Sequence, residues 1–185
     1  MEGAITFASL VVGVAVTQQL LNLHYLLRER KAVRWDPLCL LVAGLVQLTI
    51  IMLWWGISKG QEGPMTIGAF LPIFVTLVLM FLLAAVSLPD PRDDDARDLK
   101  AYYDHNGSYI WTLFLLSVLV LTVAGLDGDL DGRTLAGYVM DRAVDLIVLP
   151  ALMLSLVLVR RRWWHWIVVG FLALLALGWL GRSIG

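Results

Sequence analysis

Six stretches of this chain, residues 4–27, 38–57, 67–88, 109–126, 135–159 and 163–180, are each apolar for close to the length that crosses a bilayer. A hydrocarbon core of roughly 30 Å takes about 17–25 residues of α-helix, and inside it every backbone polar group must be satisfied within the protein. The runs are too continuous for the alternating pattern of a membrane β-barrel strand. The expectation is therefore an all-α integral membrane protein, a six-transmembrane-helix bundle that forms a single domain over residues 1–185.

Composition agrees. Hydrophobic residues make up 59% of the chain and charged residues 16%, against about 45–50% and 25% in soluble domains, and the mean hydropathy is +0.80. Met1-Glu2-Gly3 places no basic residue ahead of the first run, which is longer than the roughly 7–15 residues of a signal sequence, so it is expected to be retained as a first span. A net charge of −1, which hides a strong spatial asymmetry in the basic residues, gives no support for a nucleic-acid partner, and none is expected. The single cysteine, Cys39, rules out an intrachain disulfide and a cysteine-rich metal site, and reads as a free buried thiol.

Orientation follows from the basic residues between the runs. Arg28, Arg30, Lys31 and Arg34 lie in the first connection, Arg92, Arg97 and Lys100 in the third, and Arg160, Arg161 and Arg162 in the fifth. The second and fourth hold only Lys59 and Arg133. The positive-inside rule then puts the odd connections in the cytoplasm and both termini outside, as suits a bacterial inner membrane. Trp35, Trp111, Trp163, Trp164 and Trp166 fall at the expected inner boundary, and Trp54, Trp55 and Trp179 at the outer one. In the third connection, acidic residues followed by Lys100 and ended by Asn106-Gly107 predict a short amphipathic helix over about residues 92–105 on the cytoplasmic surface. Leu99, Tyr102 and Tyr103 would rest on the bilayer boundary.

Intramembrane ionisable groups cost at least about 2.5–3.5 kcal/mol each and mark sites by default. Asp141, Arg142 and Asp145 head the fifth run, and the two carboxylates share a face at i,i+4 spacing. A helix entering at Leu135 carries Asp141 about 9 Å and Asp145 about 15 Å deep. Pro150 cannot donate to the carbonyl of Leu146, and a freed carbonyl beside a mid-membrane carboxylate is how transporters build cation or proton sites. Gln18, Asn22 and Gln47 could stand at similar depth. A second register remains open, because residues 143–159 alone are long enough to span; Asp141 and Arg142 would then be outer-surface groups. Gln18, Asn22 and Gln47 would also serve as interhelical hydrogen-bond partners.

Two metal readings also arise. Asp127-Gly-Asp-Leu-Asp-Gly132 resembles the opening of an EF-hand calcium loop, which implies a weak structural calcium site at Asp127, Asp129 and Asp131; Tyr138 stands where that loop needs a bidentate glutamate. His24, His105 and His165 all fall near the inner face, where convergence would suit a metal and a lipid-directed membrane enzyme. No other cofactor is expected, and no Walker loop, dinucleotide fingerprint or nucleophile elbow occurs. The functional expectation is a protein that handles a small ion or polar solute around Asp145. The alternatives are a structural or accessory subunit that binds a larger membrane complex or a copy of itself and, behind it, the metal-dependent enzyme.

Overall fold

The computed structural model describes residues 2–59, 66–90, 98–129, 142 and 144–180. Among the described residues six α-helices run in order: α1 Glu2–Arg28, α2 Pro37–Lys59, α3 Ile67–Ser87, α4 Leu99–Asp129, α5 Leu149–Leu158 and α6 Arg162–Leu180. A π-helical turn, Val144–Val148, leads directly into α5. Among the described residues there is no strand; one isolated bridge pairs Arg34 with Asp98.

Among the described residues four helices are long and apolar enough to cross a membrane, with apolar lengths of 24, 22, 21 and 26 residues in α1 to α4. At 1.5 Å per residue even the shortest of these reaches about 31 Å, against a core of roughly 30 Å. The apolar stretches of the last two helices, Leu146–Leu158 and Arg162–Gly178, are shorter.

α2 is the centre of the bundle and packs on α1, α3, α4 and α6. Its sequence explains this position: Leu38, Cys39, Val42, Ala43, Leu45, Val46 and Ile50 are all buried, a set too wide for one helical stripe. Around it α1 packs on α3, α3 on α4, α4 on α5 and α5 on α6. α1 contributes a narrower seam of Ala8, Ala15, Gln19, Asn22 and Leu26, at spacings of three, four and seven that hold one face inward. Leu10, Val14, Leu20 and Leu21 on the same helix are exposed, as a lipid-facing surface should be.

α4 departs from expectation. Residues 92–97 of the predicted surface helix lie outside the described residues, and the part from Leu99 to Asn106-Gly107 is the beginning of one 31-residue helix rather than a separate short one. The reason is a continuous inward stripe of Leu99, Tyr103, Gly107, Ile110, Phe114 and Ser117. Burying that stripe outweighs the roughly 1 kcal/mol a mid-helix glycine costs. Gly107 itself lies against the Tyr103 ring. Leu99 and Tyr103 are core residues, not bilayer-boundary ones, and Trp111, expected as an interfacial anchor, is fully buried and stacked on Phe114 with ring centroids 5.2 Å apart.

Asp98 caps α4, its Oδ1 accepting from the backbone N–H of Lys100 at 3.1 Å and of Ala101 at 3.0 Å. Arg34 donates to its other oxygen at 3.2 Å. The Ala101 amide first, then Arg34, hold this carboxyl below the usual carboxylate range. A folded-state value below the unfolded one, near 3.9, stabilises the protein above that value and is lost as pH falls through the folded one. Asp98→Ala should therefore melt earlier than wild type at about pH 7, and the gap should narrow below about pH 4; thermal unfolding in detergent at the two pH values measures both.

Candidate functional site

Polar chemistry in this bundle gathers at one end, where α3 stops. Pro89 forces Leu88 into an extended conformation and ends the helix. A helix end leaves its last carbonyls without partners, and here side chains from three other helices supply them. Tyr102 of α4 donates its hydroxyl to Val86 O at 2.9 Å, the Cys39 thiol of α2 reaches Ser87 O at 3.9 Å, and Asn22 Nδ2 of α1 donates to Leu88 O at 3.2 Å. The Ser87 hydroxyl turns back to Ala84 O at 2.9 Å.

Beside this cap lies a buried ion pair. Asp36 precedes Pro37 and caps α2, its Oδ2 accepting from the Cys39 N–H at 3.1 Å. Its other oxygen accepts from Arg162, the first residue of α6, whose second guanidinium nitrogen donates to Asp104 of α4 at 2.9 Å. The Asp36 side chain is 7% exposed and that of Arg162 28%.

A third group completes this end. His165 Nε2 lies 2.8 Å from the Val159 carbonyl at the end of α5. A carbonyl only accepts, so Nε2 carries the proton and Nδ1 is the acceptor. Tyr103 then donates its hydroxyl to Nδ1 at 2.7 Å, and the Tyr103 oxygen accepts from Trp111 Nε1 at 2.9 Å. Every polar atom in this chain of three residues is satisfied by a neutral imidazole. The sequence points to Asp104 only as a fourth ligand beside the three histidines, and to Asp36, Tyr103 and Trp111 not as site residues at all; the available signal is Asp36 before Pro37, a capping pattern, and Tyr103 in the buried stripe of α4.

Of the residues singled out in the sequence, Gln18 and Asn22 lie on α1 and Gln47 on α2. Gln18 donates to Asn22 Oδ1 at 3.2 Å within α1, and α1 packs on α2 and α3 whereas α5 packs on α4 and α6. Among the described residues, Gln18 and Asn22 therefore lie on a helix other than the two that α5 packs on most. Gln47 is half-buried on α2. Gln19, next to Gln18, is the more buried glutamine, 4% exposed with Nε2 donating to Ala43 O at 2.7 Å.

Asp145 stands in the π-helical turn Val144–Val148, three residues after the exposed Arg142. Asp141 and Asp131 lie outside the described residues, as do the side chains of Asp127, Asp129 and Asp145. The backbone at Asp127 and Asp129 is helical, the end of α4, where a calcium loop was expected. Of the three histidines only His165 is buried, while His24 and His105 are exposed. Both His165 nitrogens are engaged. Among the described residues no three His, Cys, Asp or Glu side chains are grouped to hold a metal.

Protein-family profiles, curated proteins and solved structures offer no match to this chain. Its own residues define a class: a helical protein with, among the described residues, four membrane-length apolar helices and a polar network at one end.

Breaking a buried ion pair from one side strands a charge. Arg162→Met should cost on the order of 3 kcal/mol by leaving Asp36 unpaired. The double variant Arg162→Met with Asp36→Asn keeps a cap on α2 without the charge and should recover most of that loss. Chemical unfolding in mixed micelles of the two variants and wild type measures the difference.

Proposed function

We propose that the protein is a six-span membrane protein, with both termini extracytoplasmic and its basic connections inside, that handles a small ion or polar solute at Asp145. The observation that supports this reading is the π-helical turn Val144–Val148. Such turns are rare and often occur at functional positions. Non-α backbone at membrane depth is tolerated only where protein or a water-filled cavity receives its polar groups. Here the turn contains an ionisable residue and is followed by Pro150, at the start of a helix with no side-chain cap. Asp145 is the titrating group in this reading, with Asp141 and Arg142 at its outer approach. Ten of the fourteen basic residues in the first, third and fifth connections support the orientation and a bacterial inner membrane.

A second reading, an accessory subunit or self-associating protein, draws on α6. That helix packs on α2 and α5 alone among the stronger helix contacts, and its other face presents Ile167, Phe171, Leu174 and Leu177 outward. A partner helix or a second copy would cover this face as readily as lipid.

Proton flux distinguishes the two readings. Reconstituted into liposomes loaded with a pH-sensitive dye, the wild type should dissipate an imposed pH gradient and Asp145→Asn should not, with unchanged elution from a sizing column. Equal flux from both, or none from a well-folded wild type, removes Asp145 as a proton site. Single cysteines at positions 140–147 in a Cys39→Ala background locate the wet face. Labelling by an impermeant maleimide confined to the Asp141 and Asp145 side indicates a cavity, and uniform labelling that stops near position 145 indicates a helix end.

A further inference from the structure

The α1–α2 interface carries a polar feature that the reading around Asp145 does not use. Gln19 donates through Nε2 to the Ala43 carbonyl at 2.7 Å, which fixes its amide, because turning it over would set two acceptors against each other. Its Oε1 is buried and without a partner among the described residues, and the same holds for Oε1 of Gln47. Gln47 lies one helical turn beyond Ala43, and helical side chains lean toward their own N-terminus, so Gln47 leans back toward the carbonyl that Gln19 binds. Depth agrees from both sides. Gln19 is nine residues before the Arg28 end of α1 and Gln47 ten after the Pro37 start of α2, which places them about 14 and 15 Å from the polar end.

Two buried acceptors at one level call for a donor. From Ala4 to Leu27 and from Leu38 to Ser58 neither helix has an Asp or Glu. A cation here would lack a counter-charge in a low-dielectric interior. A neutral ligand with two hydrogens and little bulk meets the need, because buried water characteristically joins polar groups that have no other partner. We infer that the α1–α2 interface binds one water molecule, which donates one hydrogen to Gln19 Oε1 and the other to Gln47 Oε1. The site makes the bundle wet near mid-depth on helices other than the fifth, and it stands whether or not Asp145 titrates. It also locks the rotation of α1 on α2, since only one face of each helix carries a glutamine to the shared water.

Water-edited solid-state NMR of protein in liposomes, with glutamine side chains isotopically labelled, tests this. Magnetisation should pass from water to the Gln19 and Gln47 amide groups and not to Ala15 or Val46, and Gln47→Leu should abolish the transfer to Gln19. Gln47→Met serves as the second variant if leucine disturbs folding. Absence of transfer to both glutamines in the wild type overturns the inference and indicates a direct amide pair, Gln47 Nε2 donating to Gln19 Oε1. Undiminished transfer to Gln19 in the folded Gln47 variants also overturns it, because that water would then be held without Gln47.

Discussion

A helix that stops against the head-group layer presents carbonyls with no partner of their own, and in a membrane protein these must be met from within. At the end of α3 this need organises the bundle. Asn22, Cys39 and Tyr102 come from three different helices to reach the carbonyls of residues 86–88, so α1, α2 and α4 are each held at a fixed height against α3. Hydrophobic packing alone sets no such height, because apolar side chains slide past one another at little cost where lipid is as apolar as the neighbouring helix. Directional hydrogen bonds at one end supply the register that the apolar interior cannot.

Tyr103 and His165 extend that register to α6. α6 makes few other contacts, being set against α2 and α5, and His165 ties it to α4 and to the end of α5 through two bonds on opposite sides of one ring. Arg162 adds Asp36, at the start of α2, and Asp104, in the second turn of α4. Helix starts carry partial positive charge, and the carboxylates of Asp36 and Asp98 sit where they offset it.

Much of the fold is legible in hydropathy alone. The runs 4–27, 38–57 and 67–88 nearly coincide with α1, α2 and α3, because a span's length is fixed by the solvent that it crosses. The start of α4 was not legible from polarity, since the charged stretch around residues 92–105 masks a stripe of Leu99, Tyr103 and Gly107 that continues into the apolar run. Side-chain partners across helices were the least legible part. A rotation of about 100° per residue separates Gln18, half-buried and bonded within its own helix, from Gln19, which faces α2. Only the small-residue seam through Ala8 and Ala15 hints which of the two points inward. Asp36 could be read as a cap from its place before Pro37, but nothing local shows that its second oxygen belongs to Arg162.

That last pairing sets a condition on how the chain is made. Asp36 and Arg162 are 126 residues apart. At roughly 5–20 residues per second, the carboxylate is synthesised roughly 6 to 25 s before the guanidinium that neutralises it. During that interval α2 must hold its first turn beside a charge that only α2's own amides offset, with its central apolar surface waiting for a helix not yet made. Among the described residues the bundle is thus closed by α6, and a chain arrested before residue 162 would expose an unpaired acid at the margin of its most buried helix.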